Sequence, residues 1–164
     1  MASQPGYPLP VFRFRVDFFT SASDADGGGE PVPLCSGRFA ECSGVDASME
    51  PKVIKEGGRN DGAVHRAGRV SFGTVILRRG ITSSRDLWRW FELVAKGGYA
   101  FRLDVVITHL DMGTDPESHE GTLRWRLRRA LPVKFKAPDF NARAADVGIE
   151  EVHFVHEGLE REGS

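Results

Sequence analysis

The chain has 164 residues, of which 40% are hydrophobic and 27% are charged, and its formal net charge at pH 7 is −1. This length fits one domain, and such a domain can bury enough surface to fold without a disulfide or a metal. The near-zero net charge argues against a dedicated nucleic-acid binder, because that class of protein usually carries a basic excess.

The two cysteines and the first ten residues bear on the compartment. Cys35 and Cys42 have a spacing that matches no common zinc or redox motif, so we expect unreactive thiols in a reducing compartment. Residues 1–10 lack a basic start and contain three prolines, unlike a secretory signal. No apolar run approaches the roughly 20 residues that span a bilayer. We therefore expect a protein made in a cytoplasm, with no membrane segment.

The first half of the chain alternates between short strands and polar segments. Residues 11–19 alternate apolar with charged side chains, which predicts a half-buried strand. Residues 20–37 are rich in Gly, Pro and Asp, which predicts a long flexible loop. Further strands are predicted at 38–44, 45–55 and 69–79. Residues 56–68 are polar and rich in glycine, so we expect an exposed excursion between two strands.

The hydrophobic period then changes to that of a helix. Ser83 and Asp86 are spaced as a capping box at its start, and Gly97 and Gly98 can end it in the left-handed region. The apolar residues at helical spacing predict one buried face, formed by Leu87, Trp90, Phe91 and Val94.

The last part of the chain returns to strands, and a polar tail is expected at 160–164. The predicted strands cover residues 99–110, 122–131, 132–138 and 148–156, and a turn at 111–121 joins the first two as an antiparallel hairpin. About seven strands and one helix indicate a mainly β fold. We expect a single domain, built as an antiparallel β-sandwich or barrel of two packed sheets.

The histidines of the chain do not form a complete catalytic or metal-binding motif. His119–Glu120 and His156–Glu157 lack the second histidine four residues later that a zinc-protease helix requires. His153 and His156 are predicted to point to opposite faces of a strand. The chain has neither a nucleophile elbow nor a phosphate loop. The sequence therefore predicts no enzyme, no metal site and no cofactor.

A stripe of arginines is the strongest charge feature. Arg124, Arg126 and Arg128 share the outward face of the strand predicted at 122–131. Three adjacent like charges repel unless something acidic faces them. Two interpretations stay open: a solvated face with cross-strand pairing to Asp104 and its neighbours, or contact with an acidic neighbour subunit or cargo.

Six sequence blocks resemble the phage tail tube family, in its branch of contractile injection system inner tube proteins. No single block is specific, but their order and spacing match the family over residues 11–159. The loop predicted at 20–37 departs from the pattern, because many members have a shorter turn there. The blocks are residues 39–45 (FAECSGV), 56–60 (EGGRN), 75–80 (VILRRG), 87–90 (LWRW), 130–134 (ALPVK) with Trp125 and 138–142, and 149–150 with 156–159 (HEGL).

The resemblance implies a β-sandwich subunit with one helix, six copies of which form a ring whose inner sheets join across subunits. Rings stack into a tube inside a contractile sheath, tipped by a spike. The implied partners are other copies of the chain, the sheath protein, and the baseplate and spike adaptor proteins, with protein cargo in the channel. Such a tube is assembled in a bacterial cytoplasm as part of a phage tail or tail-like particle.

Residue roles follow from combining this resemblance with the residue types. We expect Trp90, Phe101 and Trp125 in the fold core. The arginine stripe is a candidate set of interface or channel charges. Contact between rings is expected from Glu56, Gly57, Gly58, Arg59, Asn60, Asp61 and Arg66.

Three other functions are compatible with the sequence. The chain is alternatively a baseplate tube-initiator subunit, or a type VI secretion tube protein. In a different class, it is a small β-barrel ligand-binding protein, which predicts a monomer with an apolar cavity.

Overall fold

The computed structural model describes residues 13–21, 31–32, 39–55, 57–58, 62–110, 123–143 and 145–162. These residues form one helix and twelve strands, all paired antiparallel. The helix α1 is Asp86–Ala95. The strands are β1 (Phe14–Thr20), β2 (Pro31–Val32), β3 (Glu41–Ser43), β4 (Ala47–Met49), β5 (Lys52–Ile54), β6 (Val64–Arg66), β7 (Val70–Phe72), β8 (Val75–Gly80), β9 (Leu103–His109), β10 (Leu123–Lys136), β11 (Ile149–Val155) and β12 (Gly158–Glu162).

The first sheet has the order β2-β1-β9-β10-β12. The alternation predicted for the first strand is confirmed, since Val16 and Phe18 are buried with 6% and 2% exposure. β9 lies at the centre of this sheet, and all seven of its residues are buried. Leu103, Val105 and Ile107 face the core. The opposite face of β9 is buried as well, which the sequence did not predict.

β10 passes from the first sheet into the second. Its first half pairs with β9 and β12, and its second half pairs with β11. The register shifts between Leu127 and Ala130, and Arg129 adopts a φ of 53°. An extra residue in one strand bends and twists it, so this bulge lets one long strand turn the corner between two sheets. The second sheet continues as β10-β11-β8-β3.

The core lies between the two sheets, so the predicted class of packed antiparallel sheets with one helix is confirmed. Phe18 of the first sheet meets Trp90 of the helix with ring centroids 5.5 Å apart, and Trp90 meets Phe154 of the second sheet at 5.8 Å. Trp90 is a core residue as predicted, with 1% exposure. Phe101 and Trp125 are only partly buried, at the margin of the core.

The helix presents the predicted face, with Leu87 and Trp90 buried and Phe91 and Val94 half-buried. Its end is also as predicted. Gly97 has a φ of 119°, its N–H donates to the Val94 carbonyl, and the Gly98 N–H donates to the Leu93 carbonyl, as in a Schellman motif.

The predicted capping box at the start of the helix is wrong. The N-cap position is Arg85, and no side chain caps it. Ser84, and not Ser83, contacts Asp86: its hydroxyl donates to the Asp86 carboxylate and accepts a 3.4 Å hydrogen bond from the Asp86 N–H. A serine two residues before Asp86 forms this local turn in place of the box.

Two segments predicted as irregular form strands. Within the predicted 20–37 loop, Thr20 ends β1, and Pro31–Val32 pairs with Phe18 and Phe19 as an edge strand, where proline is tolerated. Residues 22–30 and 33–38 lie outside the described residues, as do 11–12 and the predicted turn at 111–121. The predicted tail at 160–164 is wrong over 160–162, because those residues belong to β12. No described helix is long and apolar enough to cross a membrane.

Candidate assembly surfaces

The two short ribbons β4–β7 and β5–β6 extend from the second sheet, and we call the described residues 47–55, 57–58 and 62–72 the arm. β4 and β7 pair only with each other in the described chain, and so do β5 and β6. The arm continues the β3–β8 hairpin in the same register, since Ser43 faces Ile76 in the body and Ala47 faces Phe72 at the arm root. The predicted strand at 45–55 is therefore interrupted, and it contributes β4 and β5.

Two glycines make the bends of the arm possible. Gly44, at the root, has a φ of 81°, and a Cβ there would lie 2.0 Å from the carbonyl oxygen of Thr74. At the middle bend, a Cβ on Gly68 would lie 1.7 Å from the carbonyl oxygen of Glu50. Such distances exclude any other residue without a backbone shift, so close backbone approach sets the shape of the arm.

The arm exposes apolar side chains. Met49 and Val70 face each other across β4 and β7 with 50% and 44% exposure, and Val53 of β5 has 55% exposure. The opposite side of the same ribbon is polar, with the hydroxyls of Ser48 and Ser71 2.9 Å apart. The described arm therefore has an apolar side that its own chain leaves largely uncovered.

Three of the residues predicted for contact between rings belong to the described part of the arm: Gly57, Gly58 and Arg66. Gly57 and Gly58 form an exposed turn, and Gly58 has a φ of 91°, which glycine adopts readily. Arg66 is exposed on β6, opposite Lys52. Four further residues lie outside the described chain: Glu56, Arg59, Asn60 and Asp61.

The excursion predicted at 56–68 contains a short strand, β6 at residues 64–66, that the sequence analysis did not predict. The sequence holds a weak signal for this strand. Val64 faces Ile54 across the ribbon, and both side chains are half-buried. Three-residue strands are too short for alternation to identify them.

The arginine stripe faces two glutamates of β12. Arg126 pairs with Glu162, and Arg128 Nε lies 2.7 Å from Glu160 Oε1. The Glu160 hydrogen bond and charge raise the pKa of Arg128. Of the two interpretations, cross-strand pairing within the chain therefore accounts for these two arginines.

The arginine stripe pairs with glutamates of β12, whereas the sequence analysis suggested Asp104 as its cross-strand partner. Asp104 instead accepts hydrogen bonds from the Ser21 hydroxyl at 2.8 Å and from the Arg129 N–H at 3.0 Å. Arg124 lies in register with Glu162 on the same face as the other two arginines.

A second charge network lies on the outer face of the second sheet. Arg78 donates from Nε to Glu151 Oε2 at 2.8 Å and from Nη1 to Glu41 at 2.9 Å. His153 also hydrogen-bonds to Glu151. The hydrogen bonds from His153 and Arg78 lower the pKa of Glu151 to about 2. The carboxylate therefore stays charged across the physiological pH range and ties β3, β8 and β11 together.

A second exposed apolar surface lies at the end of β8 and β11 that is farthest from the arm. Val147 and Ile149 lie on the outward face of the sheet there, with 76% and 51% exposure, and Ile81 lies on the opposite face, with 48% exposure; we name these three residues the far-end patch. The Ile81 N–H donates to the Gly148 carbonyl at 2.8 Å, which holds the two chain segments together. The sequence analysis did not identify these residues, because isolated aliphatic residues beside a strand end carry no periodic signal.

His156 is buried and Cys42 is half-buried. His156 packs against Phe72 at the arm root, with ring centroids 5.0 Å apart, and its Nδ1 donates to the Gly158 carbonyl. Burial raises the pKa of Cys42 to about 11. Among the described residues, no three His, Cys, Asp or Glu side chains converge as metal ligands would.

The comparisons with known proteins agree with this architecture. A chain in the cryo-EM structure of the anti-feeding prophage (AFP) baseplate, 6-fold symmetrised, has a TM-score of 0.75 and 24% identity, over 97% of this chain and 98% of that chain. A chain in an extracellular contractile injection system, the PVC sheath-tube complex in its extended state, has a TM-score of 0.72 and 21% identity, over 96% and 93%. Hcp1 from Flavobacterium johnsoniae has a TM-score of 0.51 and 14% identity, over 91% and 95%.

No curated protein sequence matches the chain. At these identities the structural likenesses establish a shared fold. The family model described as T4-like virus tail tube protein gp19 matches residues 10–160, nearly the whole chain. This match confirms the resemblance carried by the six sequence blocks. The chain belongs to the T4-like virus tail tube protein family.

Proposed function

We propose that this chain is the structural inner tube protein of a contractile phage tail-like injection system. Six copies form a ring, and rings stack around a central channel that delivers cargo. Family membership and the likeness to chains of the AFP and PVC assemblies support this function. One observation carries it: the arm exposes Met49, Val53 and Val70 beyond the body of the subunit. Exposed apolar surface of this kind is typical of an interface.

Ring closure is proposed to use the open sheet edges. Within the described chain, β12 pairs with β10 on one side only, and β3 pairs only with β8. A strand with an unpaired edge presents free backbone donors and acceptors that favour pairing with another chain. Closing six subunits into a ring would cover such edges, and it would continue each sheet into its neighbour.

The mechanism that we propose is mechanical. The tube acts as a rigid conduit that is driven through an envelope when a surrounding sheath shortens. Within the subunit, β10 runs through both sheets, and the Arg126–Glu162 and Arg78–Glu151 pairs join neighbouring strands. A load applied along the tube is therefore shared between sheets instead of resting on one hinge.

We propose that the arginine stripe contributes interface or channel charge, although nearby glutamates reduce its net positive charge. Glu160 and Glu162 offset the positive charge of Arg124, Arg126 and Arg128 on the same face. With two glutamates against three arginines, a channel lined by this face would keep one net positive charge per subunit from these residues, so it would hold cargo less tightly than the bare arginine stripe would.

The partners follow from this role. We propose that the tube contacts a sheath protein along its length, and baseplate and spike adaptor proteins at its end. The AFP and PVC relatives were observed in baseplate and sheath–tube assemblies, which supports these partners. Assembly would occur in a bacterial cytoplasm, in a phage tail or a tail-like particle that is later released.

A tube-initiator subunit of the baseplate is the second candidate, favoured by the likeness to a chain of the AFP baseplate. An initiator should form a single ring, whereas a main tube protein should form long stacks. A type VI secretion tube is less well supported, because the TM-score to Hcp1 is 0.51 against 0.75 for the AFP chain. A ligand-binding barrel is disfavoured, because contacting aromatic side chains occupy the space between the sheets.

Native mass spectrometry of the purified chain tests the proposal. A structural tube protein should give hexamers and multiples of hexamers, and the ligand-binding alternative predicts monomers. Monomers alone at high protein concentration would refute the tube function.

A further inference from the structure

His156 contacts the arm where the arm leaves the body of the subunit. It lies in the link between β11 and β12 and is 7% exposed. Its ring packs on Phe72 of β7, with ring centroids 5.0 Å apart and an angle of 35° between the ring planes. Phe72 is in register with Ala47, the first residue of β4. The contact of His156 with Phe72, which we name the root contact, therefore lies where both strands of the inner ribbon meet the body.

The surroundings of the His156 ring favour its neutral form. Nδ1 donates to the Gly158 carbonyl at 2.9 Å, so the ring carries a proton there. Nε2 is buried and has no hydrogen-bond partner among the described residues. A second proton, at Nε2, would place a charge in a buried position without an acceptor, and such burial is unfavourable.

One carboxylate of the arm root acts on this ring. The negative charge of Asp46 and the hydrogen bond to Gly158 favour the protonated ring, but burial outweighs both and lowers the pKa of His156 below 6.5. β4 and β7 contain no charged residue. Glu157 and charged residues of β10 and β11 are engaged in other pairs, which are Glu157 with Arg129 at 2.7 Å, Arg128 with Glu160 at 2.7 Å and Glu151 with Arg78 at 2.8 Å.

Asp46 also holds the backbone of the arm root. Its carbonyl accepts a 3.2 Å hydrogen bond from the Gly73 N–H. Its carboxylate covers Gly73, where an added Cβ would lie 2.3 Å from Asp46 Oδ1. A protonated His156 reaches an acceptor by moving off Phe72, towards this carboxylate or towards water. Either movement breaks the root contact, and a shift of Asp46 disturbs the pairing that joins β4 to β7.

From this geometry we propose that the root contact is a pH-sensitive contact that fixes the arm: protonation of His156 frees the arm from its orientation on the subunit, and stacked rings then separate. The inference rests on the proposed tube function and adds a means of taking the tube apart in acid. At neutral pH the ring is uncharged and the root contact is intact. The charged ring becomes populated only as pH falls below 6.5.

Three variants compared between pH 7 and about pH 5 test the inference, because histidine titrates in this range. His156→Phe keeps a ring against Phe72 and removes the titrating nitrogen atoms. Asp46→Asn removes the charge that favours the protonated ring. His65→Gln is the matched control, because it removes an exposed histidine of the arm itself, on β6. Negative-stain electron micrographs give tube length, and circular dichroism at the same pH shows whether the subunit stays folded.

The expected result is that the unmodified chain and His65→Gln lose their tubes below pH 6.5 and regain them on return to pH 7, while their subunits stay folded. His156→Phe should keep its tubes at about pH 5, because nothing titrates at the root contact. Asp46→Asn should lose its tubes at a lower pH than the unmodified chain, because its ring is harder to protonate.

Other outcomes overturn the inference in distinguishable ways. Tubes of the unmodified chain that persist at about pH 5, equal loss of tubes from His156→Phe, or unfolding of the subunit along with the tubes would each exclude the root contact as the pH-sensitive element while leaving the tube function standing. If His156→Phe forms no tubes at pH 7, Asp46→Asn decides, and an unchanged or higher transition pH would overturn the inference. Absence of tubes from the unmodified chain at pH 7 would overturn the tube function itself, and this inference with it.

Discussion

Trp90 is the residue that joins the helix to both sheets. It contacts Phe18 on one side and Phe154 on the other, and it is 1% exposed. We expect Trp90→Ala to lower the free energy of unfolding by roughly 3–5 kcal/mol, the usual cost of truncating a buried large aromatic. Trp88 is 43% exposed, so Trp88→Ala should cost about 1 kcal/mol or less. Chemical denaturation measures both, and equal losses would contradict the packing described for the helix.

His156 and Glu151 each make the stability of the fold depend on pH, in two separate pH ranges. Burial lowers the pKa of His156 below its ordinary 6.5, so the fold loses stability as pH falls from about 6.5. The pKa of Glu151 is lowered from 4.5 to about 2, so its stabilisation is complete above about pH 4.5 and is lost as pH falls towards 2. His156→Phe should flatten the upper window only, and Glu151→Gln the lower one. Melting temperatures measured from pH 7 to pH 2 check this, and unchanged profiles would disprove it.

At the scale of elements, β12 depends on its ion pairs with β10. The Arg126 and Glu162 side chains are 18% and 34% exposed, whereas those of Arg128 and Glu160 are 48% and 47% exposed. Glu162→Gln should cost about 1 kcal/mol of stability and Glu160→Gln should cost less, because solvent screens the more exposed pair. Urea denaturation of the two variants tests this order, and the reverse order would contradict it.

The arm is expected to change shape independently of the body. Gly68→Ala would force the backbone apart at Glu50, whereas Gly62→Ala is the control, because a Cβ there meets nothing within 4 Å. We expect Gly68→Ala to shorten tubes with little change in the melting temperature of the subunit. Electron microscopy and thermal melting decide the matter together. Tubes of normal length from Gly68→Ala would remove the bend from the stacking role.

Long elements were predicted correctly from the sequence, and short ones were not. β1 and α1 carry enough residues to show their periods, so their buried faces were predicted correctly. The three-residue strands of the arm carry too few residues for that, and their pairing depends on a partner segment distant in the sequence. The sequence predicts a polar tail where β12 lies, because the charged residues of β12 are paired only by Arg126 and Arg128 of the neighbouring strand.

The sequence analysis also missed a charged residue that the fold buries and an apolar surface that forms only on folding. Arg79 points into the core with 1% exposure, where it pairs with Glu150. Charged residues are rarely buried unless paired, and the pairing is formed only by the β8–β11 register. The prediction of assembly residues between 56 and 66 rests on composition and resemblance. The far-end patch was not predicted, because its residues come to the same end of the sheet only in the folded chain.

At the scale of the whole molecule, two features point to a subunit that repeats along an axis. Apolar surfaces occupy opposite poles of the second sheet, and open edges remain on β3 and β12 in the described chain. The apolar surfaces at the two ends of the sheet favour stacking of subunits along the axis, and the open strand edges favour closure of subunits into a ring around it. Together they describe a ring that stacks, which is the behaviour proposed for this member of the tail tube family.

Electron microscopy of the purified, unmodified chain tests this central claim most directly. The account predicts sixfold rings with an open centre, stacked into tubes that lengthen as protein concentration rises. Single particles of subunit size at every concentration, with neither rings nor stacks, would contradict it.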